Sequence, residues 1–166
     1  MVLLNVGELA LFADDVDEAR NTLARFLTFA QEFDDPFHEA AALINLGIAD
    51  LLGGEPTASI SAFRRAIYVA RNIGSEYLTL ASVDGLAAAV ADKAPARAAR
   101  LFAASDALRA RTGLPRSWGE QALYQPRIDA LKGTLTQGEE SEIPGEVQDI
   151  TDVMSMAKDL LDEGEA

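Results

Sequence analysis

Leu4-Asn5-Val6-Gly7 and Ile44-Asn45-Leu46-Gly47 are two copies of one motif, forty residues apart. Each copy is followed by a turn and then by a second segment whose residues match at the same offset. In a third copy, the second segment falls thirty-nine and not forty residues after the second segment of the second copy. This shorter offset predicts the loss of one residue from the turn at 92–94. Such repetition is typical of helical arrays, in which each unit buries its apolar face against the next. The matched positions are Ala19, Leu23 and Phe26, then Ser59, Phe63 and Ala66, then Ala98, Phe102 and Ser105.

Apolar residues within each copy recur at helical spacing, and no run alternates as a strand would. Pro56 and Pro95 stand at predicted helix starts, where the missing N–H costs nothing. Small residues at Gly7, Gly47 and Ala87 allow the two helices of a hairpin to approach closely. We therefore predict an all-α superhelix of three helical hairpins plus C-terminal helices. The six hairpin helices are expected near 2–13, 16–33, 37–52, 56–73, 76–92 and 95–112.

The pattern changes after the third hairpin. Thr112-Gly113-Leu114-Pro115 predicts a helix end, because Gly113 can adopt the left-handed conformation and Pro115 cannot continue a helix. The next segment, from residue 117 to 135, contains Pro126 and is either one kinked helix or two short ones. We expect one structural domain with hairpins at about 1–35, 36–74 and 75–112 and a helical extension at 113–166. That extension comprises an acidic loop at 136–145 and a terminal capping helix with an apolar stripe, formed by Val147, Ile150, Met154, Ala157 and Leu161.

The composition excludes several classes of function. The chain has a formal net charge of −13, concentrated beyond residue 138, and nucleic-acid affinity rests on basic residues, so neither direct nucleic-acid binding nor binding to an anionic membrane is expected. It contains no cysteine, which excludes disulfides and thiolate metal sites. The apolar stretch 1–12 includes Asn5 and Glu8 and lacks a basic leader, so it predicts neither a signal peptide nor a membrane span. We expect a cytoplasmic location.

Two segments resemble a known repeat. Asn5-Val6-Gly7 through Asp17-Glu18-Ala19, and Asn45-Leu46-Gly47 through Ser59 and Phe63, are similar to the tetratricopeptide pattern of small residues in the first helix and small and aromatic residues in the second. The usual period is about 34 residues. The resemblance therefore implies that the superhelix is tetratricopeptide-like, with helices about one turn longer than usual, and that its role is to bind proteins.

A second resemblance covers roughly residues 37–161, and its most specific stretch is 98–115. It is to the C-terminal repeat region of large bacterial, especially actinobacterial, signalling proteins. These are LuxR-type, ATPase-containing transcriptional regulators and related cyclase-like proteins. The resemblance implies a longer parent protein with nucleotide-binding and DNA-binding or cyclase parts elsewhere. Gln148 and Thr151 depart from it, since that family often has Trp and Gly there. The similar residues are Ala98-Ala99-Arg100-Leu101-Phe102, Ala107-Leu108-Arg109, Thr112-Gly113-Leu114-Pro115, Tyr124 and Met154-Ser155-Met156.

Candidate catalytic and metal-binding residues have simpler interpretations. His38 is the only histidine, so a metal site would need carboxylates alone to complete it. Ser59 fits the helical repeat, and Gly53-Gly54 lacks the Lys-Ser/Thr of a phosphate loop and predicts a turn. Asp14-Asp15 and Asp34-Asp35 fall at helix ends, where aspartate caps. We predict no enzyme activity, no catalytic residue, no metal and no cofactor.

The first helices of the repeats supply the candidate binding groove. Asn5 and Asn45 occupy equivalent positions that can face a concave surface. Each amide either orders the stack, by bonding to backbone or a neighbouring helix, or contacts a ligand. An apolar lining suits an amphipathic helix, an extended peptide or the terminal helix of the chain itself. The predicted groove consists of Leu4, Asn5, Glu8, Leu11, Ile44, Asn45, Ile48 and Leu51.

Three functions are compatible with these features. The first is a protein–protein interaction or regulatory scaffold that holds a peptide segment, a partner protein or another domain of the parent chain. The second is a sensor in which the groove binds a small inducer. The third is a homo-oligomerisation unit, with a homodimer formed through an exposed apolar side of the first repeat.

Overall fold

The computed structural model describes residues 2–131 and 147–162, with side chains described as far as residue 158. Within these ranges the protein contains helices and turns and no strand, so the predicted all-α class is confirmed. The six predicted hairpin helices begin and end within two residues of the expected positions. The helices are α1 (Val2–Phe12), α2 (Val16–Glu32), α3 (Pro36–Leu52), α4 (Pro56–Asn72), α5 (Glu76–Val90), α6 (Pro95–Thr112), α7 (Trp118–Leu131) and α8 (Ile150–Asp162).

The first four turns share one geometry that repeats every twenty residues. In each turn one residue has a left-handed backbone, and the N–H of the following residue donates to the carbonyl five residues before it, as in a Schellman motif. That following residue is also the last one before the next helix. Two residues therefore lie between the C-cap residue of one helix and the first residue of the next helix. The left-handed residues are Asp14 (φ 59°), Asp34 (φ 51°), Gly54 (φ 74°) and Gly74 (φ 70°).

Substitutions at these turns test the left-handed geometry. Gly74→Ala is expected to lower the free energy of unfolding by about 1 kcal/mol, because a side chain disfavours positive φ. No heavy atom lies within 4 Å of a Cβ built at Gly74, so the cost comes from the backbone alone. Asp34→Gly should raise the free energy of unfolding by up to about 1 kcal/mol, because glycine adopts positive φ without the steric cost of a side chain. Urea denaturation measures both, with Asp34→Ala as the control that keeps the Cβ; equal stability of all four chains would contradict the assignment.

The fifth turn, between α5 and α6, differs from the other four. Its residues, 91–94, have no left-handed backbone, and the Ala94 N–H donates to the Val90 carbonyl at 2.8 Å. Helix α6 begins nineteen residues after α5, whereas α2 to α5 begin at intervals of twenty. The interval is thus one residue shorter, as the sequence predicts, but the shortening does not lie in the turn. The turn has four residues where the other four turns have three, and α5 has 15 residues where α2, α3 and α4 have 17 each.

The chain forms two compact units, Met1–Gly85 and Leu86–Ala166. In the first unit α1 contacts α2, α2 contacts α3, and α3 contacts α4, so two hairpins follow one another in chain order. Helix α1 also contacts α3, which places the first helices of the two hairpins side by side. In the second unit α6 contacts α7 and α8. The expectation of a single structural domain stays a prediction.

Phe63 lies at two of the close helix contacts in the first unit. Phe63 on α4 is fully buried. A Cβ built on Gly47 would lie 2.8 Å from its ring, and one built on Gly85 of α5 would lie 2.1 Å from it. Gly7 stands in the same relation to Leu23, at 2.6 Å. The predicted close contacts at Gly7 and Gly47 are thus present, and the sequence analysis missed Gly85.

Helix α5 has no exposed side over most of its length. Every residue from Leu78 to Val90 is buried. Two of the polar residues bond to the helix backbone: the Thr79 hydroxyl donates to the Ser75 carbonyl at 2.8 Å, and the Ser82 hydroxyl donates to the Leu78 carbonyl at 2.7 Å. Burial on all faces distinguishes α5 from α1 and α3.

The C-terminal helices agree with the predicted pattern where the structure describes them. Gly113 ends α6 with a left-handed backbone (φ 69°), and α7 continues through Pro126 as one helix. On the terminal segment Val147, Met154 and Ala157 are buried. The predicted loop at 136–145 and the side chain of Leu161 lie outside the described residues. No helix in the described part of the chain is both long and apolar enough to cross a membrane.

Candidate functional site

The eight predicted groove residues differ in accessibility. Ile44 and Ile48 are buried, so they belong to the core and not to an open groove surface. Leu4 and Leu11 are half-buried and pack against a core cluster, and Leu51 is also half-buried. Asn5 alone among the eight is exposed. The core cluster consists of Ala10, Ala19, Leu23 and Ala49.

The other two predicted residues, Glu8 and Asn45, bond to each other. The Asn45 side-chain amide donates to a Glu8 carboxylate oxygen at 3.0 Å, and both side chains are half-buried. The bond links α1 to α3 and holds the two hairpins in register. Of the two roles considered for this amide, the structure shows the contact with a neighbouring helix.

Asn5 lies on a different surface, which we call the α1 face: Val2, Asn5, Val6 and Leu9. The spacing of these residues places them on one side of the helix. Val2 is 77%, Leu9 66% and Val6 38% exposed. Three apolar side chains and one amide thus form an uncovered stripe along α1.

The internal repeat shows how the same positions are used when they are covered. Forty residues after the α1 face, Ala42 and Ala49 are completely buried. Leu46 is half-buried and packs against the core cluster that α1 and α2 help to form. Asn45 bonds to Glu8 of α1. Three of the four positions on α3 therefore contact the preceding hairpin, and the fourth, Ala42, is buried. All four counterparts on α1 are exposed.

Polar contacts between α2, α3 and α4 reinforce the stacking. The Arg20 guanidinium of α2 donates to the Asp50 carboxylate of α3 at 2.8 Å, and Gln31 donates to Glu39 at 2.8 Å. Arg65 of α4 lies 3.8 Å from the same Glu39 carboxylate. These pairs are partly exposed, so each contributes modestly to stability.

The residues considered for catalysis or metal binding have structural roles. The Asp35 carboxylate accepts hydrogen bonds from the His38 N–H at 3.1 Å and from the His38 ring at 2.6 Å, and these two bonds hold the pKa of Asp35 below its usual value. The Ser59 hydroxyl donates to the Gly47 carbonyl at 2.8 Å. Asp14 and Gly54 form the turns described above. No group of three or more metal-ligating side chains occurs among the residues described.

Exposed aromatic and apolar side chains also flank two equivalent turns. The sequence analysis did not identify these residues. Phe33 and Phe37 flank the α2–α3 turn and are 67% and 52% exposed, and Ile73 and Tyr77 flank the α4–α5 turn forty residues later. Phe29 packs against Phe33 with ring centroids 4.4 Å apart. The forty-residue offset could have revealed both pairs, since the repeat places them at corresponding positions.

The α1 face is the site that the structure separates most clearly from ordinary surface. Three of its four residues are apolar and all four are exposed, whereas the equivalent positions in the next repeat are buried or half-buried. Comparisons with protein-family models, curated proteins and solved structures found no match for the chain.

Proposed function

We propose that the chain is a non-catalytic protein-interaction module of the tetratricopeptide type that acts as a regulatory scaffold. The observation that supports this most directly is the α1 face, where Val2, Val6 and Leu9 are exposed along one side of a helix. An aligned apolar stripe of this kind is typical of a surface that another protein covers. The partner is a protein segment or another domain of a parent chain.

The setting we propose is a larger bacterial transcriptional regulator or signalling ATPase in the cytoplasm. The support is the resemblance of residues 98–115 to the C-terminal repeats of such proteins, together with the all-α fold. In that setting the repeat module would relay the state of a partner to the nucleotide-binding part. Nucleic-acid contacts would belong to other parts of the protein, because this chain carries a net charge of −13.

The small-ligand alternative has less support than protein binding. Small-molecule sites are concave and enclosed. The residues expected to line such a site are used otherwise, since Ile44 and Ile48 are in the core and Asn45 bonds to Glu8. In the homodimer alternative, a second copy of the chain covers the α1 face. Mass spectrometry of the cross-linked adduct and light scattering distinguish a second copy from a different protein.

Site-specific photo-cross-linking tests the proposal. A benzophenone side chain placed at Leu9 in the full chain, expressed in bacterial cells, is expected to give a protein adduct that mass spectrometry identifies. Its yield should fall several-fold with Val6→Glu, which puts a charge on the same stripe. The matched control places the benzophenone at Ser61, an exposed position on α4. Equal adduct yields at the two positions, or no adduct at Leu9, would refute a protein-binding role for the α1 face.

A further inference from the structure

We infer that the α1 face fits a helix hairpin of the chain's own repeat type, with a carboxylate positioned to accept a hydrogen bond from Asn5. This inference rests on the proposed protein-binding role and specifies the chemistry of the partner. It follows from the way in which the chain covers the equivalent positions on α3.

The first step of the argument concerns the apolar contact. On α3, Ala49 and Leu46 pack against two helices at once. The core cluster that they join combines Ala10 of α1 with Ala19 and Leu23 of α2. The α1 face repeats this stripe with Val2, Val6 and Leu9. We therefore expect a helix hairpin to cover the α1 face in the same way that the first hairpin covers α3.

The second step concerns the amide. Asn45 donates to Glu8, which lies thirty-seven residues earlier on the preceding first helix. Asn5 holds the position of Asn45 in the first repeat and is exposed. When a partner covers the α1 face, this amide loses its water, and an amide left without a partner in an interface costs free energy. A carboxylate at the position that Glu8 occupies would satisfy it.

The third step concerns volume. Leu9 and Val2 stand where α3 has Ala49 and Ala42, both completely buried. The larger side chains need more room opposite them than α3 needs. The partner hairpin therefore carries small residues at the positions of Ala10 and Ala19, or a smaller residue than Leu23, and this requirement selects among hairpins of the same general type.

An extended chain provides the test. A copy of residues Val2–Ala41 is placed directly before Val2, which preserves the forty-residue period and brings the copied Glu8 to the position that should face Asn5. A second extended chain adds Leu9→Ala, which restores the alanine found at Ala49 and removes any overpacking. The better of the two is expected to unfold in one transition, at a higher temperature than the original chain in calorimetry.

A double-mutant cycle then tests the carboxylate. In the extended chain, changing the copied Glu8 to Ala or Asn5 to Ala should each lower the melting temperature by about 2–4 °C, and together by no more than one alone. Asn5→Ala in the original chain should cause no change, because its amide is exposed there. The control changes the copied Glu32 to Ala, an exposed position in the original chain.

Three outcomes would overturn the inference. The added hairpin could unfold separately and at a lower temperature in both extended chains. The effects of the copied Glu8 and Asn5 substitutions could be fully additive. Light scattering could show that the original chain is a dimer that Leu9→Glu converts to a monomer, so that a second copy covers the face. Cross-linking in cells reports whether any protein uses the face, whereas the extended chains report which partner fits, so either proposal can fail alone.

Discussion

Phe63→Ala is expected to lower the free energy of unfolding by about 3–5 kcal/mol, the range for removal of a buried phenylalanine ring. The Phe63 ring is fully buried, and both Gly47 and Gly85 pack closely against it. Its loss leaves a cavity among three helices, and glycines cannot fill it. Urea denaturation followed by circular dichroism would measure the change.

The matched control for this prediction is Tyr68→Ala on the same helix. Tyr68 is 69% exposed, and surface substitutions usually change stability by less than about 0.5 kcal/mol. A similar loss in the two variants would contradict the assignment of Phe63 to the contact between the hairpins.

Gly85→Ala is expected to destabilise the protein by about 1–3 kcal/mol through overpacking. In most helix interiors the same change stabilises by about 1 kcal/mol, so the sign itself identifies the close contact. The added Cβ would lie 2.1 Å from the Phe63 ring, which is too close for the native packing. Urea denaturation would give the difference from the unchanged chain.

A second substitution separates overpacking from other causes. In a Phe63→Leu background the ring is gone and the added methyl group has more room. Gly85→Ala should then cost less or become stabilising, and the double-mutant cycle should show a strong interaction between the two positions. Additive effects would place the strain elsewhere.

The fold was predictable because the repeat, the helix breaks and the apolar spacing agree. The offset of forty between Gly7 and Gly47 located the hairpins, and Pro56 and Pro95 located two helix starts. The twenty-residue spacing of the left-handed turns was also visible in the sequence, since Asp14, Asp34, Gly54 and Gly74 are types that tolerate this backbone. The forty-residue alignment compares whole hairpins, so it does not reveal this shorter spacing.

The binding surface was less predictable because helical spacing identifies an apolar stripe but not the neighbour that covers it. Ile44 and Ile48 have the same spacing as a groove lining, yet the structure buries them. Val2 and Leu9 resemble core residues, yet they are exposed. Gly85 was missed for a related reason: the repeat alignment compares equivalent positions, and a contact between successive hairpins joins positions that are not equivalent.

The turn geometry restricts how a gene for such a protein can change in length. In the first four turns a single residue lies between the left-handed residue and the next helix. These turns therefore cannot lose or gain a residue without changing the helix caps. A single inserted codon within a helix would rotate everything after it by about 100° and turn interior side chains outward. Tandem copying of forty codons, in contrast, keeps every cap and every paired helix in place.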